Sequence, residues 1–382
     1  MEPKKSCSGC GACSGICPVS AISKHFNEFG WFEYKIDADR CVNCGLCEKI
    51  CPSNCDPTAL IHFNNSVKYA AYSLDADSVK RSSSGGLAYE IGKVGIEHGY
   101  RVVGTFYNYE TNTAQWGIAD CSGDLEKFRG SKYIQADTED IVKEVLKNEG
   151  KYIVIGTPCQ IYGMRKLTEK KKYKGDLLFI DFVCHGTPSY EIWNAYLREC
   201  TTGKITSVNF RDKTYGWHNI SLKIESDKGT SLQKRDKSSF FRAFDDGFFY
   251  NEQCYRCELN NGNGVSDIRI GDCWGKNYEH NQTGVSRVLI GSEKGRDFFE
   301  KVKNNVYCTS LTMNLPDNNK RNFEIFKKIR NEAIIEAKNS ANLKSVIKHY
   351  RKKLPLKHRI FFGLRGNQLF NLAYSLKKRI IK

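Results

Sequence analysis

Strand-like and helix-like patterns alternate along the middle of the chain. Short runs rich in apolar and β-branched residues are each followed by a stretch with the helical period, as expected of a layered α/β fold. A Ser/Gly-rich loop opens the first helix, and Thr138 and Gly150 are the start and stop signals of the second. The pattern predicts strands at 67–74 and 100–108, and helices within 82–99 and 138–150.

Two further runs are apolar without alternation, KYIVIG at 151–156 and LLFIDFVC at 177–184. Such runs are typical of strands buried on both faces of a parallel sheet. Cys159 follows the first run and Cys184 closes the second. If the strands are parallel, both thiols emerge at the same carboxyl edge, where open α/β folds build their sites.

Cysteine is unusually frequent, with 17 in 382 residues. No stretch has the character of a secretory signal or the length of an apolar membrane span, so a cytoplasmic location is expected, with peripheral membrane association as a further option. In a reducing compartment that many thiols favour metal or redox chemistry over a disulfide framework.

Two four-cysteine runs near the N-terminus share one spacing. CSGCGACSGICP and CVNCGLCEKICP both follow C-x2-C-x2-C-x3-C-P, which resembles bacterial two-cluster ferredoxins over residues 1 to about 60. In that family the fourth cysteine of each run reaches the other cluster. The predicted ligands are Cys7, Cys10, Cys13 and Cys51 for cluster I, and Cys17, Cys41, Cys44 and Cys47 for cluster II. Two zinc sites are the alternative, although zinc needs no interleaved runs that end in proline.

A separate C-x-x-C pair, Cys254 and Cys257, could be a redox disulfide, half of a zinc site or half of an iron–sulfur site. A single buried cysteine such as Cys159 or Cys184 is more often a packing residue. Their matched positions after two strands supply the missing ligands and favour a metal site. We therefore expect a third [4Fe–4S] cluster, cluster III, on these four thiols. Cys55 is expected to be structural and Cys273 to be a packing residue, with a swapped cluster ligand as the alternative for Cys273.

Seven motifs, in order, resemble the coenzyme F420 hydrogenase/dehydrogenase β-subunit family over about residues 1–310. They are SSSGG (82–86), FRGSKYIQAD (128–137), VIGTPCQI (154–161), DFVCHGTPSYEIW (181–193), NFRDKTYGWH (209–218), CYRCELNNGNGVSDIRIGDCWG (254–275) and TGVSRVLIGSEKG (283–295). The resemblance implies a flavoprotein core that holds FAD beside a [4Fe–4S] cluster. It also places the family's cysteine ligands at Cys159, Cys184, Cys254 and Cys257. Binding of the F420 deazaflavin itself is specified by nothing in the sequence.

The resemblance directs the search for flavin ligands to two loops and one arginine. Hydroxyls, a permissive backbone and a helix N-terminus suit a pyrophosphate. The expected flavin-binding residues are Ser83, Ser84, Gly85, Gly86, Gly130, Ser131, Lys132, Tyr133 and Arg211. Without the resemblance, an ordinary capped loop and a solvated lysine would be the simpler interpretations.

Two residues are candidates for catalysis. Lys213 belongs with Arg211, Trp217 and His218 to a cluster that suits an anionic, planar substrate, although a polar hairpin turn is an equal alternative. His185, next to a cluster III ligand, could donate a proton to a reduced substrate, or it could only shape the loop.

The net charge of +16 resides almost wholly in residues 319–382, which hold 18 Lys and Arg against three acids. This segment mixes cations with apolar residues at loosely helical spacing. It could lie on an anionic membrane, steer an acidic carrier protein, or pack its apolar side on the body. Nucleic-acid binding is disfavoured because no reader motif accompanies the charge.

These observations predict a ferredoxin-like domain (1–62), a two-part α/β core (66–150 and 151–315) and a basic, mostly helical tail (316–382). The expected function is an iron–sulfur flavoprotein oxidoreductase that passes electrons between a low-potential carrier, such as a ferredoxin, and an organic substrate. By resemblance alone, surface-polysaccharide biosynthesis is the expected setting. The alternatives are an electron-relay subunit of a larger complex, without its own substrate, and a zinc-stabilised interaction module.

Overall fold

The computed structural model describes residues 6–259, 262–315 and 327–354. The strands are β1 (Ile22–Phe26), β2 (Phe32–Ile36), β3 (Ile61–His62), β4 (Lys68–Ser73), β5 (Arg101–Asn108), β6 (Thr113–Ala119), β7 (Ala136–Asp137), β8 (Lys151–Gly156), β9 (Asp176–Phe182), β10 (Ile205–Asp212), β11 (Ser221–Ser226), β12 (Gly229–Lys234), β13 (Asn263–Gly264), β14 (Ile268–Asp272), β15 (Ser286–Ile290) and β16 (Val306–Ser310).

The α-helices are α1 (Ala12–Ile16), α2 (Leu46–Lys49), α3 (Ala76–Arg81), α4 (Leu87–Glu97), α5 (Glu139–Lys147), α6 (Pro158–Lys171), α7 (Tyr190–Cys200), α8 (Ser239–Asp246), α9 (Glu252–Tyr255), α10 (Glu293–Val302), α11 (Lys327–Asn339) and α12 (Leu343–Lys353). Short 3-10 helices occur at Pro52–Asn54, Pro57–Ala59, Phe63–Asn65, Ser122–Phe128, Trp217–Asn219, Lys276–Tyr278 and Lys303–Asn305.

A nine-stranded mixed sheet forms the centre of the core, in the order β16-β4-β15-β14-β9-β8-β5-β6-β7. Its middle strands β14, β9, β8 and β5 are parallel, and most of the flanking strands are antiparallel. The predicted strands and helices are present. Because β8 and β9 pair in parallel, with Gly156 opposite Asp181, their carboxyl ends lie side by side, as the apolar runs predicted.

Helices cover both faces of this sheet and give a three-layered core. On one face, α4 and α10 bury residues such as Ile91 and Phe299 against the sheet. On the other face, α5, α6 and α7 pack together with the N-terminal cysteine-rich region, residues 6–62. Residues such as Ile161 and Trp193 are fully buried there. Each layer thus seals the apolar strands β8 and β9 from water.

The cysteine-rich region is held to the core by buried polar contacts. Gln135 accepts a hydrogen bond from the Phe32 amide at 2.7 Å and donates to the Ser8 carbonyl at 3.0 Å. Thr138 stands at the start of α5, as predicted, but its hydroxyl does not cap that helix. It donates instead to the Cys10 carbonyl at 3.0 Å, so a predicted capping residue joins the two parts of the molecule.

The three-stranded sheet β10-β11-β12 and the helices α8, α11 and α12 complete the molecule. Residues 327–354 are the described part of the predicted basic tail. Their apolar residues, including Ile334 and Ile347, are buried against the body. Residues 316–326 and 355–382 lie outside the described residues. Among the residues described, the helices fall short of the length and apolarity that a membrane span needs.

Candidate functional site

The predicted cluster I ligands come together between α1 and the segment after α2. Cys10 and Cys13 each interact electrostatically with Cys51, as does Cys7. Burial raises the pKa of Cys7 to about 11. The Gly9 amide donates to the Cys7 sulfur at 3.3 Å, the kind of contact that cluster-binding thiolates accept.

The predicted cluster II ligands also share one place. Cys17, Cys41, Cys44 and Cys47 line a small apolar cavity of about 30 Å³. The Ala21 amide donates to the Cys17 sulfur at 3.2 Å. Cys44 is exposed, in contrast to the cluster I cysteines, so this site lies near the surface.

The four thiols predicted for cluster III are brought together from three regions of the chain. Cys159 lies in the first turn of α6, which begins with Pro158 and a capping box between Thr157 and Gln160. Cys184 follows β9. Cys254 interacts electrostatically with the other three thiols of the set. The structure therefore brings the four predicted ligands close together.

Local hydrogen bonds explain why the C-x-x-C pair lies beside the loop that carries Cys184. The Asn251 amide donates to the Thr187 carbonyl at 2.8 Å, three residues beyond Cys184. The Asn251 side chain in turn caps the short helix α9 by accepting from the Gln253 amide at 2.9 Å. These contacts fix the start of α9, and with it Cys254, beside the loop that carries Cys184.

The chemistry of this donor set fits an iron–sulfur cluster. Burial raises the pKa of Cys184 to about 12 and raises the pKa of Cys254 well above its ordinary value, and the neighbouring thiols add to both shifts. Four such thiols ionise together only beside a compensating positive charge, which a four-iron cluster supplies. Within the described residues, no three His, Cys, Asp or Glu side chains converge closely enough to hold a single metal ion.

Cluster sites I and III both border the helix α6. Cys159 occupies the first turn of α6, and Gly163, one turn later, faces Cys10 of site I. Cys10 and Cys159 also interact electrostatically. Sites I and III are therefore neighbours across α6, and Cys13 of site I also interacts electrostatically with Cys47 of site II.

A cavity of about 550 Å³ opens at the carboxyl edge of the central strands. Cys159 and Cys184 line it, together with the start of α4 and the ends of β14 and β15. The predicted cofactor and catalytic residues on its wall are Ser83, Ser84, Gly86, Gly130, Ser131, Lys132, Tyr133, Arg211 and His185. The two predicted loops meet there, because the Ser131 amide donates to the Ser83 hydroxyl at 2.8 Å.

Gly85 and Gly86 have different roles in the first loop. Gly85 lies outside the cavity wall, and a Cβ at this position would stand 2.6 Å from the Ala71 carbonyl oxygen. Gly86 begins α4 with a φ of 87°, a backbone conformation that glycine adopts readily. Its position leaves the N-terminus of α4 open toward the cavity. Gly85 therefore allows close packing on β4, and Gly86 shapes the wall.

Two lysines among the predicted site residues donate to backbone carbonyls. Lys213 lies outside the cavity wall, and its ammonium group donates to the backbone carbonyls of Val79, Ser84 and Thr283. Three acceptors occupy all three of its donors, so the geometry favours a role in holding the loop over a role in catalysis. Lys132 lies on the wall but donates to three backbone carbonyls near the end of the preceding 3-10 helix. Burial lowers the pKa of Lys132 to about 7.

Arg211 lies on the cavity wall, where an ion pair and a hydrogen bond hold its side chain. It forms a bidentate ion pair with Asp272, at 2.9 and 3.1 Å, and donates to the Tyr133 hydroxyl at 3.1 Å. Burial alone would lower the pKa of Arg211, but Tyr133 and Asp272 hold it above the ordinary value. Its charge is thus largely offset within the protein.

Two wall residues were missed by the sequence reasoning. Arg287 on β15 donates no side-chain hydrogen bond to the described residues and forms no ion pair with them, and its Nε is buried. Gly271 makes room for it, since a Cβ there would lie 3.0 Å from that Nε. Trp274 is half exposed and stacks on Trp217 at 4.2 Å between ring centroids. Both residues lie within quoted motifs, but no spacing marks them as wall residues.

Two segments of the chain match known protein families. Residues 149–314 match the family model for the C terminus of the coenzyme F420 hydrogenase/dehydrogenase beta subunit. This segment is similar to that family. Residues 6–55 match the 4Fe–4S dicluster domain. The chain is therefore an iron–sulfur electron-transfer protein related to the F420 hydrogenase beta subunit, as the quoted motifs indicated.

The segment 149–314 contains all four predicted ligands of cluster III, and also Arg211 and Arg287. A chain of the xenon-derivatised F420-reducing [NiFe] hydrogenase complex from Methanosarcina barkeri is similar in structure, with a TM-score of 0.48 and 15% sequence identity. The match covers 79% of this chain and 96% of that chain. No curated protein matches the sequence.

Proposed function

We propose that this chain is an iron–sulfur flavoprotein oxidoreductase with three [4Fe–4S] clusters and one FAD. It would exchange electrons between a low-potential carrier protein and an organic substrate. The observation that carries the proposal is the position of Cys159 and Cys184. Both belong to the third thiol set, and both line the cavity at the carboxyl edge of the sheet. When bound, the clusters would carry single electrons and the flavin would exchange pairs of electrons with the substrate.

The wall of the cavity fits a flavin dinucleotide. Ser83, Ser84 and Gly86 stand at the open N-terminus of α4, an 11-residue helix whose end attracts anions. Arg287 contributes a positive charge that makes no side-chain hydrogen bond or ion pair with the described residues. On β15 it lies next to Ser286, whose hydroxyl accepts a hydrogen bond from the Gly85 amide at 3.0 Å. These residues would hold the pyrophosphate. Tyr133 and Arg211 line another part of the cavity.

The surface near site II fits the entry point of electrons. Cys44 is exposed, and the neighbouring side chains of Val42 and Ile36 are 59% and 49% exposed. Electron transfer between proteins needs close approach of the two redox groups, and small apolar surfaces around an exposed site allow it. We propose that a ferredoxin-like carrier binds here.

His185 and Trp274 would act on the substrate. His185 is exposed on the cavity wall and follows Cys184 directly, so it would be placed to donate a proton to a reduced substrate. Trp274 offers the exposed face of a stacked aromatic pair to a ring-shaped molecule. A sugar-pathway substrate, as in surface-polysaccharide assembly, rests on the family resemblance.

Quantification of iron, sulfide and flavin after anaerobic purification tests the proposal. We expect about twelve irons, from three four-iron clusters, and one FAD per chain. About eight irons with no flavin would remove the third cluster and the cavity cofactor from the proposal. Twelve irons without flavin would favour the electron-relay alternative. A colourless protein with about three zincs would overturn the oxidoreductase proposal altogether.

A further inference from the structure

The N-terminal half of α11 packs against the segment that carries Cys254. Arg330 on this helix is 3% exposed, and its guanidinium carbon lies 4.6 Å from the ring centroid of Trp31. Its Nη1 donates to the Asn331 side chain at 2.8 Å. Arg330 is thus a buried cation, stacked on an aromatic ring of the cysteine-rich region.

Glu252, an acid that interacts electrostatically with Arg330, is also engaged by two other cations. Glu252 lies two residues before Cys254, and it is shared by Lys327 at 3.2 Å and Arg256 at 4.0 Å. Burial lowers the pKa of Arg330, while Tyr255, Glu252 and Cys254 oppose that shift, so all three lie within electrostatic range of it. An arginine remains charged even so, because its ordinary pKa is above 12.

We propose that Arg330 is a positioning residue for cluster III, which holds a fixed positive charge beside Cys254 and thereby raises the reduction potential of the cluster. Reduction adds one negative charge to a cluster and its four thiolates. A neighbouring cation stabilises that added charge, and burial strengthens the effect because water screens it less. The inference rests on the proposed function, since it requires cluster III.

The consequence for electron flow follows from the position of Arg330. Its charge is close to Cys254 of site III, so it favours the electron on cluster III over the electron on the ferredoxin-type clusters. Transfer from the cysteine-rich region into the core then becomes more favourable. Arg330 lies beyond residue 314, where the family match ends, so the residue that supplies this charge is outside the matched segment.

A redox titration of the whole chain, followed by electron paramagnetic resonance, tests the inference. The signal of cluster III is assigned by its loss in Cys254→Ala. In Arg330→Gln, we expect the midpoint potential of cluster III to become more negative, with those of clusters I and II much less affected and about twelve irons retained. Arg330→Lys, titrated in mildly acidic buffer so that the lysine is charged, should restore much of the potential.

The matched control is Arg198→Gln. Arg198 donates to the carbonyls of Ala337 and Ser340 at the far end of α11, so this variant removes one charge and loosens the same helix away from Cys254. Its cluster III potential should equal that of the wild type. An unchanged potential in Arg330→Gln, or an equal shift in Arg198→Gln, would overturn the inference. A wild-type chain with only eight irons would instead overturn the proposed third cluster.

Discussion

Gly163 of α6 lies directly against the thiol of Cys10. A Cβ on Gly163 would stand 3.0 Å from that sulfur and 2.9 Å from the Cβ of Ala12. The absence of a side chain at this position therefore allows α1 to pack on α6. This close approach holds the first thiol set one helical turn from Cys159.

Replacing Gly163 by valine should separate the two cluster sites. Overpacking at such a contact costs about 1–3 kcal/mol, and here the strain falls on a cluster I ligand. We expect a lower unfolding temperature and a loss of iron that begins with cluster I. Iron content and thermal unfolding, measured on the same anaerobic sample, check both effects.

Gly92→Val is the matched control for this change. Gly92 also lies in a helix, α4, and a Cβ there would lie 3.1 Å from the side chain of Leu125, which belongs to none of the three thiol sets. This variant should lose stability but keep the iron content of the wild type. Equal iron contents in the two variants would contradict the role given to Gly163.

Arg287→Gln should weaken the binding of FAD. A charge-assisted hydrogen bond contributes about 1.5–3 kcal/mol, which corresponds to a roughly ten- to hundredfold rise in the dissociation constant. Titration of the flavin-free protein with FAD, followed by fluorescence, measures it. Arg101→Gln, which removes a cation at the opposite edge of the sheet, should bind FAD like the wild type. Equal dissociation constants in the two variants would exclude Arg287 as a phosphate ligand.

Lys213→Met should loosen the loop that precedes α4. Its three carbonyl acceptors lose their donor, which destabilises a part-buried site by about 1–3 kcal/mol. We expect a lower unfolding temperature and faster release of flavin. Lys223→Met, at a surface ion pair with Glu225, should change neither property.

Loss of turnover in Lys213→Met, with flavin binding and stability retained, would support its predicted catalytic role. Burial lowers the pKa of Lys213 to about 7, a value that suits a proton donor near neutral pH. If Lys213 acts in catalysis, the variant should keep its flavin and its stability. It should lose turnover with an artificial electron carrier, together with an ionisation near pH 7 in the rate profile.

Cys184→Ala and Cys273→Ala should differ in iron content. Cys184 belongs to the third thiol set, so its loss should remove about four irons and leave the ferredoxin-type clusters intact. Cys273 is buried in a separate apolar group with Trp217 and Val285, and its loss should leave the iron content unchanged. Iron analysis after anaerobic purification decides the point, and a loss of iron in Cys273→Ala would mark it as a ligand.

The thiol sets could be predicted because their signals are local. The spacing of the N-terminal runs predicts eight ligands, and the ends of β8 and β9 place Cys159 and Cys184 at one edge. Both inferences need only chain spacing and the geometry of parallel strands. The pairing of β8 with β9 confirms the second inference.

The residues that the sequence did not reveal depend on long-range packing. Lys213 looked like a substrate ligand because of its neighbours in sequence, but its acceptors lie 70 to 134 residues away. Arg287 is one residue of an apolar strand. Its side chain passes over Gly271, which lacks a side chain, and this contact with another strand is visible only in the fold. Arg330 is one cation among many in a basic segment, and its burial against Trp31 depends on how α11 docks.

The contacts of Gln135 and Thr138 with the cysteine-rich region have a kinetic consequence. A domain that carries electrons by swinging between two positions must break such bonds in each cycle, and its rate falls as the solvent becomes more viscous. Here the bonds are buried, and the first and third thiol sets are already neighbours across one helix. Electrons would therefore pass between fixed centres, at a rate that added glycerol leaves unchanged.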